Sequence, residues 1–418
     1  MPAAAWLSSL VLSFAAVLPD APSLPAHAWP RWRGPAENGH TAETAIPVKW
    51  SDADLAWKTT LPGSGQSSPI IWGDRIFLTA ALEEGRERIV FCVDRKSGKL
   101  LWQHSAWKGE PEKVHIMNGW ASPSCATDGR IVVAFFGRGG MHAYTVDGVH
   151  LWSRDLGKFE SPWGVSACPV IVDDKVIQNC DADVDGYIIA LDKQTGKDVW
   201  KTERTLKSDP EQSMRGWSTP IVVEAGGRRE VVLNGHDGVR AYDPATGKEL
   251  WYCKGFNGRG EPTVTPAGDL LTVVNGLSGD FYAVKPGGSG DVTATHMAWH
   301  TPRKDGRDCP SPIVIGKYAL VVSMSGITTC YDAVDGHAYW KERLTGKFSG
   351  SPIAANGLAY LLNEDGTTYV IRPGEALDIV AENALTAGDE EIFRASTTPC
   401  DGQLFIRSTT TLYCVGKK

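Results

Sequence analysis

Apolar residues in this chain come in short runs cut by glycine, aspartate and proline, and the segment 217–251 shows the pattern most clearly. Trp217-Ser218-Thr219-Pro220 leads into an apolar run at 221–224, and Gly226-Gly227 turns the chain into a second run at 231–234. Residues 235–238 turn it again into 239–242, and Asp243-Pro244-Ala245-Thr246-Gly247-Lys248 connects to a last run at 249–252. Short β-rich runs bounded by turn residues predict four antiparallel strands joined by hairpins. The Asp-x-x-x-Gly turn recurs at Asp94/Gly98, Asp192/Gly196 and Asp332/Gly336, with a shorter form at Asp147-Gly148. Asp accepts hydrogen bonds from backbone N–H groups ahead of it, and Gly supplies the positive φ such hairpins need.

The unit repeats from end to end. Prolines at 69, 123, 169, 220, 262, 312, 352 and 399 each open a β-rich run, and Trp57, Trp102, Trp152, Trp200, Trp251, Trp299 and Trp340 close seven of the units. Their mean spacing of about 47 residues lies in the range of four-stranded propeller blades. The fold class predicted is therefore all-β: an eight-bladed β-propeller of four-stranded blades. The eighth unit has room for three strands within 396–415 and then the chain stops, whereas Asp54-Leu55-Ala56-Trp57 has the outer-strand pattern with no strands before it. Pairing these two ends closes the ring with an N-terminal strand and removes two exposed edges. Each closing Trp falls on an outer strand, where a large ring can wedge between blades; these residues are read as structural. Blade seven departs from the rule, with Ile379 and Val380 where Trp would stand.

Composition narrows the class further. The 45 glycines and 25 prolines suit many short strands joined by turns. A net charge of −7 without long runs leaves no basic stripe for a nucleic-acid partner. Residues 3–18 are almost entirely apolar, too short to span a bilayer, and followed by Ala26-His27-Ala28, which predicts a signal peptide over 1–28 cleaved before Trp29. Residues 29–418 then form a single propeller domain, periplasmic or secreted. The first cysteine is Cys92, so no lipid anchor is expected at the cleavage point, and no other segment reads as transmembrane. The nine cysteines are odd in number and show no C-x-x-C spacing, so no disulfide is assigned.

With these starts, turns and tryptophans in place, the chain resembles the pyrroloquinoline-quinone-like repeat propeller family, to which quinoprotein alcohol dehydrogenases and the assembly factor BamB belong. Its Trp32-Arg33-Gly34-Pro35 opening, Asn234-Gly235-His236-Asp237, Arg372-Pro373-Gly374 and the 285–293 stretch resemble secreted bacterial members described by their repeats. The resemblance implies the fold across 29–418. It implies function less directly, because the alcohol-oxidising enzymes carry neighbouring cysteines beneath their quinone and this chain has no Cys-Cys. The lipid-accepting Cys of BamB is also missing.

In such a propeller the first strand of each blade lines the channel and begins at its mouth. Three residues before the blade-opening prolines stand Gln66, Trp120, Ser166, Trp217, Arg259, Cys309, Ser349 and Ser396. Loops 103–121, 153–167 and 201–218 add Trp107, Trp163, Glu160, Glu211 and Arg215. Gln66, Trp120, Trp163, Trp217 and Arg259 are the expected ligand-binding set, a stacking and hydrogen-bonding surface for a flat ligand. The alternative is that Trp120 and Trp217 plug the mouth and pack loops.

Asp181, Asp183 and Asp185, followed by Gly186, resemble the start of a calcium loop and form the candidate metal set. Asp192 falls at the twelfth position, but the intervening strand would hold it about 16 Å away. A solvated acidic loop is the alternative. His296 and His300 flank an outer strand and read as packing or solvated groups. No G-x-S-x-G elbow, phosphate loop or H-E-x-x-H is present.

The expected function is an exported binding or assembly scaffold of the cell envelope, without catalytic chemistry or an assured cofactor. Its partner would be a protein or an extracellular polymer. The alternative is a quinoprotein dehydrogenase using pyrroloquinoline quinone (PQQ) and calcium on alcohols or sugars, with Glu160, Glu211, Glu261 and Asp308 as nearby carboxylates.

Overall fold

The structure, a computed structural model, describes residues 22–159, 163–181, 186–204, 216–256, 259–276 and 279–417. Most of the expected signal segment and the acids at 160, 183, 185 and 211 lie outside the described residues. Eight antiparallel sheets follow one another in chain order. Their inner strands are Ile70–Trp72, Ala126–Thr127, Val170–Val172, Ile221–Ala225, Thr265–Ala267, Ile313–Ile315, Ile353–Ala355 and Thr398–Cys400. The unit read from 217–251 forms Ile221–Ala225, Arg228–Gly235, Gly238–Tyr242 and Glu249–Lys254. The four-residue Thr293–His296 is the one α-helix among the described residues.

Closure is as expected. Leu55–Thr60 pairs antiparallel with Thr411–Val415, placing Trp57 opposite Cys414 and completing blade 8 as its outer strand. Blade 4 gains a fifth strand, Gly290–Asp291, which lies parallel to Glu249–Lys254. It comes from the 285–293 stretch that replaces the usual turn of blade 5.

The tryptophan wedge has a specific geometry. Five rings, those of Trp57, Trp102, Trp152, Trp200 and Trp299, lie on the turn glycine of the next blade: Gly98, Gly148, Gly196, Gly247 and Gly336 respectively. A β-carbon on Gly336 would sit 2.3 Å from the Trp299 ring, so the turn needs glycine for space as well as for its positive φ. Each indole N–H donates to a carbonyl of the same turn, as Trp152 does to Lys193 at 2.9 Å and Trp299 to Ala333 at 3.2 Å. Where blade 5 lacks that turn, Trp251 donates instead to the buried carboxylate of Glu230 at 2.7 Å. One indole thus buries its face between blades and satisfies its only donor there.

The segment after residue 28 closes the channel from within. Trp29 bridges to Ile71 of blade 1, and Thr127 of blade 2 donates to Pro30 O. Val222 of blade 4 donates to Glu37 Oε2 at 2.5 Å, and Arg33 donates to Pro312 O of blade 6 at 2.7 Å. His40 meets Val314 O, Thr41 donates to Ala354 O of blade 7, and Glu43 accepts from Gly402 of blade 8. The segment therefore crosses the inner strands of six blades before its chain leaves to form the closing strand. Arg33 is fully buried without a carboxylate, and burial pulls its pKa down to about 9.

Candidate functional site

The channel mouth is built on a ring of eight hydrogen bonds. Ser68 N donates to Ser124 Oγ (2.7 Å), Ser124 N to Cys168 Sγ (3.2 Å), Cys168 N to Thr219 Oγ1 (3.0 Å) and Thr219 N to Thr263 Oγ1 (3.0 Å). The ring continues from Thr263 N to Ser311 Oγ, Ser311 N to Ser351 Oγ and Ser351 N to Ser396 Oγ, each at 2.9 Å. Ser396 N returns to Ser68 Oγ at 2.9 Å. Each of these residues stands two before the first residue of its inner strand. A short polar side chain is needed there to satisfy the neighbouring blade's buried N–H.

Two residues further out stands the layer that faces the opening: Gln66, Ser122, Ser166, Trp217, Glu261, Cys309, Ser349 and Arg394. All eight line a cavity of about 190 Å³, with Trp163, Arg307 and His115 on its wall and Trp32 of the inner segment in its lining. Trp32 Nε1 donates to Ser396 Oγ at 3.3 Å, tying the inner segment to the ring.

The sequence reading located this layer from the prolines, and five of its eight positions hold. The other three are corrected. Pro123 and Pro262 precede their ring residues, Ser124 and Thr263, whereas five prolines immediately follow theirs; Pro399 lies three residues beyond Ser396. Counting back three from those prolines therefore names Trp120, Arg259 and Ser396 in place of Ser122, Glu261 and Arg394. Side chains of a strand alternate between faces, so an error of two keeps the face and changes the level. Trp120 sits behind the mouth, its indole N–H donated to Glu112 O at 2.8 Å and its ring against Gly85. Arg259 stacks its guanidinium 5.0 Å from the centre of the Trp163 ring. Trp107 stacks under Arg88 at 4.6 Å, outside the cavity lining.

Trp163 is the hub of the wall. Arg307 lies 5.2 Å from its ring centre, His115 packs on it at 4.5 Å, and its carbonyl accepts from Asn118 Nδ2 at 2.7 Å. Trp217 is held by donation from Nε1 to Gly164 O at 2.8 Å. Arg394 donates to Glu364 Oε1 at 3.2 Å and to Ile116 O at 3.2 Å, and Glu364 also accepts from Ser349. Glu261 is the one carboxylate in the cavity lining among the described residues. Burial raises its pKa to about 7, against the opposing pull of Arg307 and Arg259.

The candidate metal set falls elsewhere. Asp181 is buried, and its two oxygens accept from Arg204 at 2.7 and 3.0 Å. Burial raises its pKa while Arg204 lowers it. Asp183 and Asp185 lie outside the described residues. Asp192 ends the strand Tyr187–Asp192 and accepts from Thr195 in the following turn, as its strand reading requires. His300 pairs with Asp280 at 2.5 Å. The one group of His, Asp and Glu ligand atoms near enough to share an ion, among the described residues, is Asp332, Asp335 and His337. It lies in a third-to-fourth-strand turn, which antiparallel pairing puts at the end of the ring opposite the mouth. Asp308, raised to about 6 by burial, is held by both guanidinium nitrogens of Arg303 at 2.9 and 3.1 Å.

These donors fit the quinone and calcium pair only in part. Arg307 and Arg394 could receive carboxylates of a flat ligand between Trp163 and Trp217. Among the described residues a single carboxylate, Glu261, lines the cavity and faces two guanidiniums, which is a poor donor set for a hard dication that takes six or more oxygens. Cys168 and Cys309 line the cavity from blades 3 and 6 as separate thiols.

Comparison with known proteins agrees with the architecture. Residues 41–176, 86–254 and 239–377 match the family model described as outer membrane protein assembly factor BamB. The chain is 20% identical to the BamB of Burkholderia pseudomallei (strain K96243) over 376 residues, 77% of this chain and 88% of that protein. It is 26% identical to the quinohemoprotein alcohol dehydrogenase ADH-IIG of Pseudomonas putida over 273 residues, 58% of this chain but only 36% of the enzyme. Among solved structures, BamB from Moraxella catarrhalis superposes with a TM-score of 0.62 at 17% identity, covering 86% of this chain and 99% of that one. A europium-containing methanol dehydrogenase superposes with a TM-score of 0.68 at 13% identity, covering 94% and 98%. At such identities the structures speak to fold alone. No helix among the described residues is long and apolar enough to cross a membrane.

Proposed function

This chain belongs to the family described as outer membrane protein assembly factor BamB, and from that premise and its cavity we propose a binding protein of the cell envelope, exported to the periplasm or beyond. Its channel mouth holds part of a partner without turning it over. The observation that carries this reading is the cup itself: an open mouth walled by Trp163, Trp217, Arg307 and Arg394 over a hydrogen-bonded ring and the inserted Trp32. Aromatic faces and guanidinium groups recur as anchors of protein interfaces. Among the described residues the lining brings together stacking and hydrogen-bonding groups, and binding is the chemistry these support. A partner protein follows from the relatives named as assembly factors. The test is affinity capture from envelope extracts with the wild type and with Trp163→Ala and Trp217→Ala. Loss of the same partner from both variants supports the reading, and capture untouched by both overturns it.

A second reading, oxidation of alcohols with PQQ and calcium, draws on the arginines that suit quinone carboxylates and on the matched dehydrogenase. Bound quinone would supply the electron acceptor; Arg307 and Arg394 would orient it, and Glu261 would hold or release a proton beside it. Adding the quinone with and without calcium, then following dye reduction with alcohols, separates the two. Turnover would replace the binding reading.

A further inference from the structure

We propose that Ser153, on the outer strand of blade 2, is an acyl-accepting nucleophile with His142 as its general base, open to esters with a good leaving group. The site lies outside the channel mouth and goes beyond the binding reading above.

The direction of each hydrogen bond at Ser153 can be worked out. Ser153 Oγ lies 2.8 Å from His142 Nδ1 and 2.8 Å from His150 Nε2, and His142 Nε2 lies 2.8 Å from the carbonyl oxygen of Gly139. A carbonyl can only accept, so Nε2 of His142 carries the proton and Nδ1 of the neutral ring presents a lone pair. The Ser153 hydroxyl therefore donates to His142, and its oxygen accepts the N–H of His150. The serine proton is already directed at a base, and the base is oriented by a third group, the arrangement that activates a weak nucleophile. Ser153 is exposed whereas His142 is buried, so a reagent reaches the oxygen while the base stays out of water.

A fixed frame brings the three side chains together. Met141–Thr145 pairs antiparallel with His150–Arg154, and Ser153 stands opposite His142. The ladder then passes from Trp152 opposite Ala143 to His150 opposite Tyr144, which leaves Leu151 as an extra residue. On a regular strand side chains three apart point to opposite faces; the bulge puts His150 and Ser153 on one face. The base is held from behind, its ring edge-on to Phe136 at 6.0 Å. Gly139 N donates to Phe136 O at 3.0 Å and Gly140 N to Gly137 O at 2.8 Å, closing the turn that offers Gly139 O. A β-carbon on Gly139 would meet Phe136 at 2.9 Å and Arg88 at 3.1 Å, so glycine lets that turn lie close enough to hold the imidazole. Burial lowers the pKa of His142 against the pull of Gly139 O, which keeps the ring a free base at neutral pH.

The pairing of these strands does not require the set. In blade 4 the same three positions hold Arg240, Glu249 and Tyr252. There Arg240 donates to Glu249 at 2.6 Å and lies 4.4 Å from the centre of the Tyr252 ring, tying the strands together with no polarised hydroxyl. In blade 2 the step would run as follows: Ser153 Oγ bonds to the ester carbonyl carbon while its proton passes to His142 Nδ1. The bond to the leaving oxygen then breaks, and the imidazolium returns the proton to that oxygen. His150 Nε2–H, already against Oγ, is the donor nearest the charge that develops on the carbonyl oxygen. A single donor on an open wall suits a leaving group that needs little help, an aryl ester rather than an amide.

The probe is p-nitrophenyl acetate added to the full chain, followed by nitrophenolate release and by mass spectrometry of the acetylated peptides. The expected result is an acetyl group on the peptide that contains Ser153, absent from Ser153→Ala. His142→Gln should slow labelling there by about a hundredfold or more, the range of general-base catalysis. The wild-type rate at Ser153, read between about pH 4 and pH 8, should fall as His142 takes up a proton, with its inflection below the ordinary imidazole value. His150 faces His142 from the paired strand, and Arg88, behind the Gly139 turn, donates to Glu112 at 3.2 Å. His150→Gln should therefore keep the inflection, which assigns it to His142. The wild-type profile needs no variant, so a misfolded His142→Gln cannot hide the answer. Acetyl groups found only on other residues, a Ser153 rate that folded His142→Gln leaves unchanged, or a wild-type rate without the inflection overturns the proposal.

Discussion

The backbone N–H of Ser396 donates to the hydroxyl of Ser68 at 2.9 Å, joining residues 328 apart and closing the ring under the cavity. Neither residue has a local reason to be polar. Each is required because a buried N–H on the adjacent blade has no strand partner at that level, and the requirement repeats eight times around the axis.

The ring can be tested where it uses sulfur. Ser124 donates its backbone N–H to Cys168 Sγ at 3.2 Å. Cys168→Ser keeps an acceptor of better strength and should leave stability unchanged or slightly higher. Cys168→Val should cost about 1–3 kcal/mol, because it strands a buried donor. Urea midpoints of the two variants, compared with wild type, measure the difference.

Two glycines of blade 6 separate backbone strain from steric fit. Gly336 has φ +78° and lies on the Trp299 ring, whereas Gly316 has φ +61° with nothing within 4 Å of an added β-carbon. Gly316→Ala should cost about 1–2 kcal/mol for the left-handed backbone alone. Gly336→Ala should cost clearly more, as the ring must move and its bond to Ala333 O stretches. Equal melting temperatures for the two variants would show that the wedge does not bear on the turn.

Removing residues 50–60 deletes the outer strand of blade 8 and the Trp50 N–H bond to Asn383 at 2.9 Å. The strand Thr411–Val415 would then present an open edge, and the Gly98 turn would lose the Trp57 ring. The expected outcome is a sharp fall in solubility and thermal stability, read by scattering and calorimetry. A monomeric deletion with an unchanged melting temperature would contradict closure by the N-terminal strand.

Glu261 also sets a pH dependence of folding. Its folded pKa of about 7 lies above the ordinary carboxylate value, so between the two the folded state holds a proton that the unfolded state has released. Stability should therefore fall as pH rises from about 4.5 to about 7 and level off above. Asp308, raised to about 6, acts in the same direction. Glu261→Gln should reduce that slope in urea titrations run across the range, leaving the part below about pH 6 that Asp308 supplies, and a slope unchanged by the substitution would assign it to other groups.

Short apolar runs, Asp-x-x-x-Gly turns and a Trp in seven of the units were enough to determine the blade count and the wedges, which depend on contacts within one repeat or between successive ones, and the closing strand, which follows from a three-stranded last unit and a lone first strand. The level of a residue along the channel was not legible in the same way. Strand side chains alternate with period two, so Trp120 and Ser122, or Arg259 and Glu261, are equivalent as patterns; the hydrogen-bonded ring distinguishes them only once all eight blades are present. The prolines misled in three blades because proline prefers the extended backbone near this entry at more than one position. The inner segment was equally hidden. Trp32 and Arg33 stand far in sequence from Ser396 and Pro312, and only ring closure brings those groups together around a common axis. Local physics set the blades, and the closed tertiary ring set the site.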